Sequence, residues 1–370
     1  MATTEHELSG AAATAADHQR ADHQRADRQR ADHRLSLHSF IDALPKVELH
    51  VHLVGSASVP TVLELARRHP GGPVPTEEER LRRFYKFIDF PHFAKVYEAV
   101  SSLVRTPEDV ATLVLGTARD LAAQNVRCVE LTVTPYTHQR MGMPMPAITE
   151  ALDLAVRQAR DLYGIQVAYI FDIPGEFGAE GCRQTARHAL EHPPEALIGF
   201  GLGGIEQMRT AIRDEIREAF RAARGAGLRS LPHGGEMSGP ETIWEVIDGL
   251  GAERIGHGIR CLDDPRLVAH LRETQIPLEV CPTSNVCTGQ VPDIAAHPLP
   301  RLLEEGLFVT LNSDDPPMFD TTLTGEYRVA ADVFGFGREQ LAALARNAVA
   351  ASSLDGPGKQ AIVQEIDAVA

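Results

Sequence analysis

From residue 37 onward the chain alternates between two patterns: short runs of apolar and β-branched residues, and longer stretches in which apolar residues return every three or four positions. A run of the first kind suits a strand buried on both faces; a stretch of the second kind suits an amphipathic helix. The candidate strands are VELHVHL (47–53), VRCVELTVTP (126–135), QVAYIFDIP (166–174), LIGFGLGG (197–204), RSLPHGGE (229–236), RIGHGIR (254–260), IPLEVCPTS (276–284) and FVTLNSDDP (308–316). ATLVLGTARDLAAQ (111–124) and ALDLAVRQARDLYG (151–164) are two of the helical stretches between them. Strands alternating with helices imply an α/β fold with a parallel sheet, and their number implies a (β/α)8 TIM barrel. A doubly wound open sheet is the alternative, but no GxGxxG follows the first strand.

Polar residues gather where these strands end: His50 and His52, Thr134, Asp172, His233 and Glu236, His257, Ser284, Asp314 and Asp315. In a barrel those ends converge on one mouth, whereas in an open sheet they would be spread along an edge. The first connection is long, about 70 residues against the usual handful. It begins with a helix start at Ser58-Val59-Pro60, stops at Pro70-Gly71-Gly72, and continues through ERLRRFYKFIDFPHFAKVYEAV (79–100). This helical insert after strand one is either a wall of the mouth or a set of packing helices.

The first 36 residues break the pattern. From Ala16 they read ADHQR ADHQR ADRQR ADHR, with almost nothing to bury. His18, His23 and His33 could serve as a metal-binding tail, but the composition favours a disordered one. The expected division is therefore a tail over 1–36 and a barrel over 37–370.

Composition narrows the partners. A net charge of -15 argues against nucleic acid, and no apolar run is long enough to span a bilayer. Five widely spaced cysteines without a CxxC imply reduced thiols, and with no basic-then-apolar leader the expected location is cytoplasmic.

His50 and His52 are two apart on a strand, so their rings share one face, where two buried imidazoles need a partner. Alone, the pair is a weak sign of metal. His233 and Glu236 after strand five, His257 within Gly256-His257-Gly258, and Asp314-Asp315 after strand eight make a catalytic metal site the better reading. Imidazole-rich ligation suits zinc, and strand four, LIGFGLGG, has no lysine to bridge a second ion, so one Zn2+ per chain is expected.

LPKVELHVHL, HGGE, RIGHG, CPTSN and LNSDDP, in this order and spacing, resemble the adenosine deaminase family of metal-dependent hydrolases in the amidohydrolase superfamily. The resemblance runs from about residue 44 to about residue 320. It implies metal ligation by His50, His52, His233 and Asp314. It implies that Glu236 protonates purine N1, that His257 orients or deprotonates the attacking water, that Asp315 meets N7, and that the Gly204 amide meets N3. Glu236, His257 and Asp314 are then the catalytic set, and Gly204, Asp315, Val54 and His52 face the substrate.

Val54 departs from the family's pattern, which has an aspartate that holds the ribose 5'-hydroxyl. A side chain with neither donor nor acceptor disfavours that hydroxyl. The expected substrate is thus an adenine nucleoside modified at 5'. Aminodeoxyfutalosine of menaquinone biosynthesis, whose 5' chain ends in a benzoate, comes first; adenosine, in purine salvage, is the alternative, and adenine the third. Arg82, Arg83, Lys86 and Lys95, among the insert's aromatics, are the cations available for a benzoate.

Overall fold

The structure is a computed structural model that describes residues 34–87 and 90–370. Its strands are β1 (Lys46–His52), β2 (Val126–Val133), β3 (Gln166–Pro174), β4 (Leu197–Gly203), β5 (Arg229–Gly234), β6 (Ile255–His257), β7 (Leu278–Val280) and β8 (Val309–Leu311). They are all parallel and lie in sequence order in one eight-stranded sheet. The sheet curls into the expected (β/α)8 barrel, which leaves no long strand edge exposed. The last three strands are only three residues long, well short of the apolar runs that mark them. Chain direction changes soon after each: at Gly258 (φ +68°), at the helix Pro282–Cys287, and at Asp314 (φ +64°).

The seam between β8 and β1 is closed by one bridge, Val51 to Asp314. The His52 amide donates to the Asp314 carbonyl and the Asp314 amide to the His50 carbonyl, each at 3.0 Å. Asn312 adds its side-chain oxygen, which accepts from the Leu49 amide at 3.1 Å. Barrel closure therefore fixes the backbone of three candidate ligands.

The outer helices bury apolar residues on one face. Helix Arg213–Gly225 turns Ile216, Ala219, Phe220 and Ala223 inward, the helical repeat read from sequence. Helix Pro107–Ala122 starts with a capping box between Thr106 and Asp109, and buried Asp109 also meets Arg68 and His69, each at 2.8 Å. Among the described residues no helix is long and apolar enough to cross a membrane.

The helix over residues 34–43, α1, buries Leu37, Phe40 and Ile41. Residues 34–36, given to the tail on composition, therefore belong to the folded body. The ADHQR repeat up to His33, with its candidate metal-binding histidines, lies outside the described residues. After β1 come α2 (Val59–Arg68), α3 (Glu78–Phe84) and α4 (Phe90–Ser101). The 79–100 stretch is thus two helices, and they differ in role. α4 lays Phe90, Phe93 and Tyr97 along the mouth of the barrel, while α3 packs on Leu81. Phe87, Phe93 and Phe319 stack into a roof with centroid distances of 5.1–5.8 Å.

Candidate metal and active centre

The strand ends do converge. The ring centroid of His50 lies 5.5 Å from that of His52, 4.5 Å from His233 and 4.8 Å from His257. Gly256 makes this possible: a Cβ there would come within 2.7 Å of His50 and 3.1 Å of His233. Asp314 brings Oδ1 to 3.2 Å from His52 Nε2 and 3.6 Å from His50 Nε2, while its Oδ2 accepts from Ser284 at 2.6 Å. Asp314 and His257 both sit at positive φ, +64° and +62°, a conformation costly for side-chain-bearing residues and concentrated at functional sites.

Candidate ligand atoms of His50, His52 and His233 lie within 4.8 Å of one another, as do those of His50, His257 and Asp314, and of His52, Asp314 and Asp315. His50 Nε2 and His233 Nδ1 are buried without a hydrogen-bond partner. An orphaned His50 Nε2 3.6 Å from a carboxylate held well below its usual range fits a divalent cation. Burial opposes that low pKa, and the hydrogen bond from His52 leads the effects that overcome it.

His50 is oriented from behind. Its Nδ1 lies 2.8 Å from Glu279 Oε2 on β7, and a carboxylate can only accept, so Nδ1 carries the proton and Nε2 is a free lone pair. Glu279 is ion-paired to Arg254, which is fully buried and reaches Glu130 at 2.6 Å. Burial raises the Glu279 carboxyl, but Arg254 and His50 outweigh it and hold it at about 2.

A second chain of bonds fixes His257. The Leu299 amide donates to His297 Nδ1 at 3.1 Å, so His297 Nε2 donates to the Asn285 side-chain oxygen at 3.1 Å. The Asn285 amide then donates to His257 Nδ1 at 3.2 Å. Burial lowers His257 to about 3. A neutral ring with an occupied Nδ1 carries its proton on Nε2, 3.6 Å from Glu236 and 3.9 Å from Asp314. Glu236 is pushed up to about 8 by burial and by the charges of Asp314 and Glu206. Burial and the Asp314 charge push Asp315 well up too.

These groups open into a cavity of about 540 Å³ lined by His52, His233, Glu236, His257, Asp314 and Asp315, with Gly204, Asp172 and the α4 aromatics around them. The sequence pattern of the adenosine deaminase family matches residues 45–369. The chain belongs to the adenosine deaminase family. It is a metal-dependent hydrolytic deaminase. An aminodeoxyfutalosine deaminase of Streptomyces avermitilis is 50% identical over 333 residues, covering 90% of this chain and 92% of that one. The crystal structure of an adenine deaminase from Arthrobacter aurescens superposes with a TM-score of 0.83 at 29% identity, over 88% of this chain and 98% of that one. An amidohydrolase from Burkholderia ambifaria with bound zinc gives 0.82 at 27% identity, over 90% and 93%.

Measured against the family's site, the structure brings together every residue of the expected set except one. Val54 is buried in the apolar core at 5% exposure and does not line the cavity. Gly204 does line it, at φ +72°, where a Cβ would lie 2.0 Å from Glu176 Oε2. Of the four cations proposed for a benzoate, only Lys95 reaches the lining. Arg82 and Arg83 are exposed on α3 and paired with Glu78 and Glu79. Arg140, after β2, lines the cavity instead, stacked 4.4 Å over Phe177. It sits in a short helix, Pro135–Arg140, that carries no sequence signal of its own. Glu279 and Arg254 did carry one: a charge inside a short apolar strand has to be paired. The five cysteines are unpaired, as expected.

Proposed function

We propose that the chain removes the 6-amino group of aminodeoxyfutalosine by hydrolysis, giving a futalosine-type product in menaquinone biosynthesis, and that one zinc ion serves each active site. The carrying observation is a buried carboxyl, Glu236, raised to about 8 and placed 3.6 Å from a neutral His257 beside the His–Asp cluster. The name of the half-identical Streptomyces relative supports the substrate. So does a cavity rimmed by Lys95, Arg140 and aromatic rings.

His50, His52, His233 and Asp314 would hold the metal, which supplies the acidity that makes water a nucleophile near neutral pH. The chain's own groups do the rest. As water adds to C6, electron density moves onto N1, and Glu236, protonated in its buried site, donates there. His257 Nε2, 3.6 Å from Glu236 and 3.9 Å from Asp314, faces the attacking oxygen and orients or deprotonates it. Purine N3 and N7 are acceptors and need donors. The Gly204 amide supplies one, and the Asp315 carboxyl, kept neutral by burial, supplies the other. Water's two protons close the balance: one restores Glu236, which has given its own to N1, and the other passes to the 6-amino group, so that ammonia leaves as the C6 oxygen becomes the 6-oxo group.

The test is kcat/KM for aminodeoxyfutalosine, 5'-methylthioadenosine, 5'-deoxyadenosine and adenosine in parallel, repeated with Glu236→Gln. The first substrate should lead, and the variant should lose about 10²–10⁴-fold in kcat with its metal content intact. A preference for adenosine would return the chain to purine salvage, and an unimpaired variant would remove Glu236 from the acid role.

A further inference from the structure

The 3₁₀ turn after β4, Glu206–Ile212, has no part in the chemistry above, yet two of its side chains are buried behind the cavity. Glu206 is 3% exposed and Arg209 8%, and neither lines the cavity. Glu206 accepts three consecutive amides: Glu236 at 3.2 Å, Met237 at 3.1 Å and Ser238 at 2.6 Å. Arg209 donates from Nη1 to the His233 carbonyl at 2.8 Å and from Nη2 to the Gly204 carbonyl at 3.1 Å. The two side chains approach each other at 4.0 Å. One acid and one base thus grip the backbone of His233, Gly204 and Glu236.

The grip falls beside two glycines. His233 and Glu236 are separated by Gly234 and Gly235, the second at φ +66°. Two glycines in succession leave the distance between ligand and acid weakly set by the backbone itself. The surroundings fix the glycines only in part: the Gly235 amide bonds Thr242 at 2.9 Å, and the Gly234 carbonyl accepts from Gly258 at 3.0 Å. Beyond them, Glu206 takes the amides of 236, 237 and 238 together. A carboxylate receiving several backbone amides makes strong, directional bonds, so it acts as a clamp.

We infer that Glu206 and Arg209 are positioning residues that hold the Glu236 carboxyl in register with His233 and with the Gly204 amide. Proton delivery to the purine ring then depends on a pair that never touches substrate. The inference rests on Glu236 as the proton donor.

The test uses the metal-loaded full chain with Glu206→Gln. Glutamine keeps the size but turns an N–H toward amides that need an acceptor. The kcat should fall about 10²-fold, the loss expected when a reacting group is displaced by about an ångström, with KM within about threefold of wild type and metal content unchanged. In a Glu236→Gln background the same substitution should cost less than about threefold, because the group it positions is gone. A purely structural role would multiply the two losses. A Glu206→Gln kcat within about threefold of wild type, or multiplying losses, would overturn the inference. If Glu206→Gln does not fold, Arg209→Lys, which cannot reach both carbonyls, takes the same two measurements; if neither folds, the pair is a folding element and the inference fails. An unimpaired Glu236→Gln would bring down the proton-donor role and this inference together. An impaired Glu236→Gln beside an unimpaired Glu206→Gln would bring down the positioning role alone.

Discussion

Arg140 stacks on Phe177 at the edge of the cavity and, among the described residues, makes no ion pair. Lys95 on α4 is another cation on the lining and, among the described residues, has no ion-pair partner. Among the described residues most exposed arginines are paired, Arg82 with Glu78 at 2.7 Å and Arg183 with Glu180 at 2.7 Å for example. An unpaired guanidinium, flattened against a ring and facing a cavity larger than a purine needs, is set for a planar anion. If the anion is the benzoate, Arg140→Ala should raise KM for aminodeoxyfutalosine roughly fivefold, about 1 kcal/mol for a solvent-accessible charge pair. KM for adenosine, which carries no carboxylate, should stay as it was. Equal effects on the two substrates would place the benzoate elsewhere, with Lys95→Ala as the next variant to measure. Arg140 was not legible in the sequence, because nothing in PYTHQRMG distinguishes an arginine at the mouth from one in solvent.

At the scale of elements, β1, β6 and β7 work as one part. β1 carries His50, β7 carries Glu279, and Arg254, just ahead of β6, locks Glu279 to Glu130 of β2. Arg254 also donates to the Ala351 carbonyl at 3.0 Å, which ties the end of helix Arg338–Ala351 to the same bridge. Glu279→Gln should weaken metal binding about 10–100-fold, the usual effect of removing the carboxylate behind a ligating imidazole. It should also lower the melting temperature, since a buried ion pair losing one partner costs about 3–5 kcal/mol. Competition with a chelator of known affinity measures the first. A normal metal affinity in a destabilised protein would show that something other than Glu279 sets His50. The candidate site residues were legible because they lie in motifs: HxH on a strand, HGGE, GHG, SDD. Their supports were legible as charges that need a partner but not as a set, because Glu130, Arg254 and Glu279 lie on or beside three strands and meet only when the barrel closes. Strands six to eight were found but read too long, since the stretches read as strand continue past the last ladder pair into a turn at Gly258, the helix that carries Ser284 and the turn at Asp314.

The whole molecule is a barrel whose closing seam is also its chemical centre, so stability and ligation should rise and fall together. That makes the true start of the folded unit a practical question, and α1 decides it. Arg34 and His38 both bond Asp332, at 2.6 Å and 3.0 Å, and Arg338 donates to Ser36 at 2.8 Å and covers Phe40. With Leu37, Phe40 and Ile41 buried, α1 ties the start of the barrel to its last helices. The ADHQR repeat before it has no apolar residue larger than alanine. Removing residues 1–33 should therefore leave kcat/KM and the melting temperature unchanged. Removing ten more residues strips three large buried side chains, each worth about 1.5–3 kcal/mol, and should lower the melting temperature by several degrees. Thermal melts of the two truncations with metal bound check both. A loss of activity on removing only 1–33 would give the repeat a role in the enzyme, with its histidines the first residues to replace.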